Sequence, residues 1–375
     1  MTFNRLLERL DIQLPVIQAP MAGACGSAMA IAVSEAGGLG SLPCAMLDAS
    51  TIRAEIGVIR QRTSKPYNVN FFTHQPAEFD PDREAAWKAR LSVYFDELGI
   101  ERTLVTPSVN RAPFDEAMCD IVEDLRPPVV SFHFGLPAET FLARVKDAGC
   151  LVLSTATTVA EARWLEEHGC DAIIAQGYEA GGHRGMFLTE DLASQVGTMA
   201  LVPQVVDAVA VPVIAAGGIG DGRGVAAALA LGASAVQVGT AYLLTPESLI
   251  TDLHRAALKD ASDRPTALTN VFTGRPARGL MNRIMREIGP MSDLAPAFPT
   301  AGGALAPLKA KAEATHSSDF SSLWSGQAVG LGQEHGAGAL TQELAEGARR
   351  TLAELSPRSE NNGKIVARQK AHAKH

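Results

Sequence analysis

Positive charge is in short supply in this chain: 33 lysines and arginines stand against 41 aspartates and glutamates, for a net charge of −8 and a pI near 5.6. A phosphate backbone is bound by clustered cations, and the body of the sequence has none, which argues against nucleic acid as a partner. Long apolar runs are missing too. Nothing approaches the run of about 18 uncharged residues that a membrane span needs, and the longest apolar region, 199–216, is broken by Pro203, Asp207 and Pro212 into a helix and a strand. The opening Met1-Thr2-Phe3-Asn4-Arg5 is not an apolar signal segment. Cysteine is sparse and odd in number: Cys25, Cys44, Cys119, Cys150 and Cys170 include no pair at redox or metal spacing. A disulfide framework is thereby excluded, no metal is expected, and a reducing cytoplasm is the expected setting. Cys150 and Cys170, each between a glycine and an apolar strand, read as small buried filler. No Gly-x-Ser-x-Gly nucleophile turn occurs.

What is present is a repeated strand–helix rhythm in 375 residues, 46% of them hydrophobic. Eight apolar stretches read as parallel strands: 15–21, 39–43, 67–72, 129–134, 151–154, 172–176, 212–217 and 235–239. Four of them follow a helix that ends in glycine, at Gly37, Gly149, Gly169 and Gly232, as a left-handed cap turning the chain back to a sheet requires. An α/β fold, specifically a (β/α)8 TIM barrel over 1–245, is the expectation, with a doubly wound open sheet as the alternative. Residues 73–128 interrupt the rhythm as an insertion with helices near 82–98 and 114–125. Residues 246–356 read as a helical lid or cap subdomain: helices near 249–258, 276–288, 305–314, 318–330 and 339–355, and a β-prone stretch at 269–273. Residues 357–375, with Lys364, Arg368, Lys370 and Lys374, read as a frayed basic tail.

The sixth strand runs into Gln176-Gly177-Tyr178-Glu179-Ala180-Gly181-Gly182-His183-Arg184-Gly185, whose glycines admit a close ligand and whose imidazole titrates near neutrality. Barrels bind at the carboxyl ends of their strands, so His183 is a candidate catalytic residue, or else a structural or solvent-facing loop histidine. Glycine clusters after the seventh and eighth strands, Gly217-Gly218 and Gln237-Val238-Gly239-Thr240, suit a phosphate. Asn70 and Gln176 offer amides for the edge of a flavin ring, or for neighbouring backbone. The turn at Met21 and Ala22 closes over that ring, with Gly181 and Gly182 beside it, and together these positions outline a mononucleotide. His133 either lines the mouth as a substrate contact or is a satisfied core histidine. His74, His168 and His254 carry no expected chemistry.

These motifs carry a family resemblance. Gln18-Ala-Pro-Met21, Asn70, Ser131-Phe-His-Phe-Gly-Leu-Pro137, the strand-six loop, Ala215-Ala-Gly-Gly-Ile219, Gln237-Val-Gly-Thr240 and Leu323-Trp-Ser-Gly-Gln327 resemble the nitronate monooxygenases. The resemblance implies FMN as cofactor, with contacts at Asn70, Gln176, Gly181, Gly218 and 237–240, and His183 as catalytic base. It also implies small-molecule nitronates, propionate 3-nitronate among them, and O2 as reactants, consumed through a flavosemiquinone to a carbonyl compound and nitrite, a detoxification. Arg184 and Arg275 are candidates for a stabilising positive charge, though each also reads as a surface group. A homodimer is compatible with this reading. Two alternatives stay open: an NAD(P)H-dependent FMN reductase of the enoyl-acyl carrier protein or quinone type, and a barrel that binds a phosphorylated ligand without catalysis.

Overall fold

The computed structural model describes residues 4–101, 111–261 and 265–356; the basic tail expected at 357–375 lies outside them. Its strands in chain order are β1 (Val16–Gln18), β2 (Gly40–Pro43), β3 (Tyr67–Phe72), β4 (Val129–His133), β5 (Leu151–Ala156), β6 (Ala172–Gln176), β7 (Gly182–His183), β8 (Val213–Ala216), β9 (Ala235–Val238), β10 (Thr266–Thr269) and β11 (Ala277–Leu280). Eight of them, all but β7, β10 and β11, pair in parallel in the order β1-β9-β8-β6-β5-β4-β3-β2, and a parallel bridge from Ile17 to Leu39 joins β1 to β2. The sheet is therefore closed, and the open-sheet alternative falls: this is a (β/α)8 barrel.

Period-two alternation fixes what each strand residue faces. Val129, Leu153, Ala172, Ile174, Ile214 and Ala235 pack in one cluster inside the barrel, while their neighbours Val130, Val152, Ile173, Val213 and Val236 pack outward under the helices. Leu6 and Leu10 of the helix Arg5–Leu10, with Ile12, join the inner cluster and stop the barrel's amino-terminal end. The same inward parity, continued to the carboxyl end, reaches Asn70, Ser131, His133, Thr155, Gln176, Ala216 and Gln237, and there polar side chains replace the apolar plug.

The helix-ending glycines behave as expected, with φ of +94° at Gly37, +87° at Gly149, +88° at Gly169 and +97° at Gly232. All five cysteines are buried and unbridged. Helices Pro81–Leu98, Arg283–Ile288 and Gly302–Ala314 share a second core around Trp87, Tyr94, Leu308 and Phe320, in which the Trp87 indole N–H donates to Ala301 O at 3.1 Å. The helix Ala337–Leu355 returns to pack on the barrel helices Gly222–Ala230 and Ser27–Glu35.

Three expectations after the barrel are corrected. Residues 276–288 are not one helix: β11 comes first, because Gly279 lies against Leu323 O with no room for a Cβ, and the helix Arg283–Ile288 starts only where Asn282 caps it by accepting from Met285 N. The strand expected at 269–273 sits earlier, as β10, in antiparallel register with β11. The stretch 318–330 is turns and extended chain rather than a helix, apart from the 3-10 turn Val329–Leu331, since much of its backbone bonds to distant neighbours: Leu280 N donates to Leu323 O, Ser325 N to Arg278 O, and Gln327 N to Glu179 O.

Two glycines separate backbone strain from packing. Gly149 has positive φ, Gly57 sits inside the helix Ala49–Arg62, and a methyl group at either meets nothing within 4 Å. Gly149→Ala is expected to lower stability by about 1–2 kcal/mol, whereas Gly57→Ala raises it by about 0.5–1 kcal/mol. Urea midpoints of the two variants against the parent, moving in opposite directions, check this.

Candidate active site

The loop after β6 is held from its own first residue. The Gln176 amide donates through Nε2 to His183 O at 3.0 Å and accepts through Oε1 from Gly185 N at 2.8 Å, so one side chain grips both sides of the returning chain. Arg184, fully buried, completes the grip by donating to Gly177 O at 2.6 Å, Gln176 O at 2.8 Å and Gln195 Oε1 at 2.9 Å. It is not a surface charge. Burial, then the nearby Arg278, pulls its pKa down to about 10, so it stays charged at neutral pH. Gly182 and His183, expected in an open loop, form β7, paired with Arg278 and Ala277 of β11. Gly181 has no room for a Cβ because Ser325 and Gly326 press against it, and Gly326 N donates to Thr240 Oγ1 at 2.8 Å. The segment 323–327 thus ties the β6 loop to the end of β9.

These elements enclose a cavity of about 390 Å³ at the barrel's carboxyl end, within the range of small-molecule sites. Met21, Ala22, Asn70, His133, Gln176, Gly181, Gly182, His183, Gly217, Gly218, Gln237, Gly239 and Thr240 all border it. Val238 does not: it is one residue past the inward-facing Gln237, its side chain lies in the outer core, and its carbonyl accepts from Ala19 N. Arg111, Ser131, Thr155, His254, Lys309 and Trp324 also border the cavity and were not identified from the sequence as part of the site. Parity along β4 and β5 would have found Ser131 and Thr155; nothing local in the sequence marks Arg111 or Lys309.

His183 is fixed through Nε2, 2.9 Å from Thr273 Oγ1. The Thr273 hydroxyl donates to Arg275 O at 3.4 Å, so its oxygen accepts the Nε2–H, and Nδ1 is the unprotonated nitrogen. Nδ1 has no partner among the described residues. Burial, followed by the positive charge of Arg111, holds His183 well below the ordinary histidine pKa, so the ring is neutral at pH 7. His133 meets His183 O with its Nε2 at 3.2 Å and Thr155 Oγ1 with its Nδ1 at 3.1 Å; because a carbonyl only accepts, the proton sits on Nε2. Here His133 positions the His183 backbone. Around both rings stand Phe72, Phe134, Phe298 and Trp324, with Phe134 held at a φ of +76° that bulky residues rarely adopt. Arg275 lies over Phe134 and donates to Met186 O at 3.1 Å, half-buried rather than on the surface.

Several features fit a mononucleotide. Gly217 and Gly218 have φ of +109° and +70°, a backbone shape that aims N–H groups at an anion. Gly182, at +71°, has open space where a Cβ would be. The Gln237 side-chain oxygen is buried without a partner, and Asn70, with both amide hydrogens on Ser131, keeps its oxygen as an acceptor for a ring N–H. No group of acids, histidines and cysteines that could hold a metal occurs among the described residues, and no described helix is long and apolar enough to cross a membrane.

The fold and cavity define a barrel enzyme with a ligand site built on the ends of its strands. Residues 4–347 match the nitronate monooxygenase family. A nitronate monooxygenase of Pseudomonas aeruginosa is 43% identical over 92% of this chain and 98% of its own, and one of Paraburkholderia phytofirmans is 39% identical over 93% and 96%. Among solved structures, a nitroalkane oxidase from Streptomyces ansochromogenes superposes with a TM-score of 0.86 at 40% identity, covering 94% of this chain and 99% of that one. FabK from Thermotoga maritima superposes at 0.69 with 28% identity, covering 95% and 99%. The chain belongs to the nitronate monooxygenase family and is an oxidoreductase.

The site has a consequence for acid stability. Burial lowers His74, His133 and His254 to about 4, and His74 Nδ1, amid the rings of Phe72, Phe134 and Phe298, has no partner among the described residues. With folded values below the unfolded value of about 6.5, the unfolded chain binds more protons once pH falls below that value. Stability is then full above about pH 6.5 and lost as pH falls toward 4. The urea midpoint is expected to drop between pH 7.5 and pH 5, and His74→Phe to make that drop smaller.

Proposed function

We propose that this chain oxidises nitronates with O2, using bound FMN, to a carbonyl compound and nitrite. The observation that carries the reading is the neutral His183, locked by Thr273 with Nδ1 free, at a cavity whose opposite side is a glycine cradle. Gly217, Gly218, Gly239 and Thr240 would hold the phosphate, while Asn70, Gln237 and the backbone of Met21, Ala22, Gly181 and Gly182 would border the ring. FMN, when bound, supplies an acceptor for the substrate's electrons and a route from it to O2.

The chain's own residues do the rest. A nitroalkane is a carbon acid, and Nδ1 of His183 is the base that takes its α-proton; Thr273 keeps the ring in that tautomer and His133 and Gln176 keep the backbone beneath it in place. A nitronate arrives already ionised and needs placement only, which Phe72 and Trp324 at the cavity wall provide while excluding water. A second reading, an NAD(P)H-dependent flavin reductase, fits the same glycine-lined cavity. Anaerobic addition of NADH separates the two: rapid bleaching of the flavin favours the reductase, and nitronate-dependent O2 uptake without NADH favours the oxygenase.

On this reading His183→Ala lowers kcat/KM for nitroethane by on the order of 10²–10⁴-fold and lowers that for ethylnitronate far less. Thr273→Val is expected to weaken nitroethane turnover about tenfold, with Thr273→Ser restoring it. Because the His183 pKa is depressed, the required neutral form persists as pH falls, so kcat/KM for nitroethane stays level from pH 8 to pH 6.5 and declines only below. An oxygen electrode measures all three, and an acid limb centred near pH 7 would contradict the assignment.

A further inference from the structure

Among the described residues, Arg111 is the cation in the cavity that is left without a partner. Among the described residues its guanidinium meets no carboxylate and donates no hydrogen bond; its only specific neighbour is the Phe298 ring, with the guanidinium carbon 5.9 Å from the centroid. The other cations nearby are committed. Arg184 and Arg278 donate to backbone carbonyls of the β6 loop, Arg275 is spent on Met186 O, and Lys309 lies 3.9 Å from Glu313, which also accepts from Ser321. Arg111 is half-buried, and burial alone pushes its pKa down, with no acid beside it to oppose the shift. A partly desolvated charge with no counterion costs stability unless a ligand supplies one.

Its position says which part of a ligand that is. The segment carrying Arg111 is tied to the end of β3 through Phe114 N, which donates to Phe72 O at 2.7 Å. It therefore stands on the β3–β4 side of the mouth, across the barrel from the glycine turns after β8 and β9, and so away from a phosphate held there. His183 and Arg111 both rest on Phe298, the imidazole centroid at 5.4 Å. His183 and Arg111 both border the same cavity, so a nitro-bearing carbon placed at His183 leaves the remainder of the substrate to extend toward the guanidinium.

We propose that Arg111 is a specificity-determining residue that binds a carboxylate on the far end of the substrate, selecting nitronates that carry a second negative charge over simple alkyl nitronates. The assignment rests on the nitronate-oxidising reading of the same cavity. Guanidinium is suited to it, since its fork donates two parallel hydrogen bonds to a carboxylate.

The test compares propionate 3-nitronate with ethylnitronate in the FMN-loaded enzyme, and follows succinate binding by the change it makes in the flavin's visible absorption. For Arg111→Met the ratio of kcat/KM for the two nitronates is expected to fall at least 30-fold, with succinate affinity falling in parallel. Arg111→Lys recovers part of both, and Lys309→Met leaves the ratio within threefold. An equal loss for both nitronates would place Arg111 on the nitronate head or in the fold, and overturns the proposal. So does an unchanged ratio, or a selective loss in Lys309→Met instead. If the parent enzyme oxidises neither nitronate, the functional reading fails, while succinate binding that disappears only in Arg111→Met would still support the carboxylate site.

Discussion

The site depends on one side chain closing a loop upon the strand it leaves. Gln176 is the last residue of β6, and its amide bonds to His183 O and to Gly185 N, so His183 is placed by a barrel strand, the most rigid element available, although it lies seven residues further on. Arg184 then donates to the carbonyls of Gln176 and Gly177 at the start of the turn, and β11 adds the ladder that makes Gly182 and His183 a strand. A loop of four glycines would otherwise sample many conformations. Here they serve close approach: Gly177 lies against Thr198, Gly181 against Ser325 and Gly326, and only Gly182 opens toward the cavity.

The barrel was legible because its signals are local. Apolar runs mark β3 and β6 at their exact bounds, and the four capping glycines announce the returns to the sheet. Most of the cavity followed from strand order alone, since the residues at the carboxyl ends of eight parallel strands must meet. Closure was not local; it depends on Val16 pairing with Val236 and on the bridge from Ile17 to Leu39. The region after β9 was misread where partners lie far away in sequence. Nothing within 318–330 shows that its backbone will bond to β11 and to Glu179, and nothing near Pro276 shows that a strand will precede the helix capped by Asn282. Arg111 and Thr273 escaped for the same reason: each acquires its role from an element more than 50 residues from its own.

The amides show how sequence and structure divide the work. Asn70 and Gln176 were marked as ligand contacts or as partners of neighbouring backbone, and both do the second: Gln176 clasps its loop, and Asn70 gives both hydrogens to Ser131. Each still borders the cavity, so holding the frame and facing a ligand are not exclusive. Gln237 differs, being left with a buried oxygen that no described residue satisfies. A buried polar atom without a partner is costly, and its place beside the glycine turns is where a bound nucleotide would relieve it.

Electrostatics at His183 favour one kind of substrate. Burial and the charge of Arg111 both make imidazolium hard to form, which weakens the ring as a base. The same cation draws negative charge into the cavity as a whole, so the two effects oppose each other when a neutral nitroalkane must be deprotonated: an anionic product is favoured while the protonated base is not. A nitronate that arrives ionised meets only the favourable half, because no imidazolium has to form before it reacts. With His183 neutral, no positive ring competes with Arg111 for the anion, and Phe72 and Trp324 at the cavity wall keep water from screening the attraction. The cavity is thus better matched to capturing anions already made than to making them.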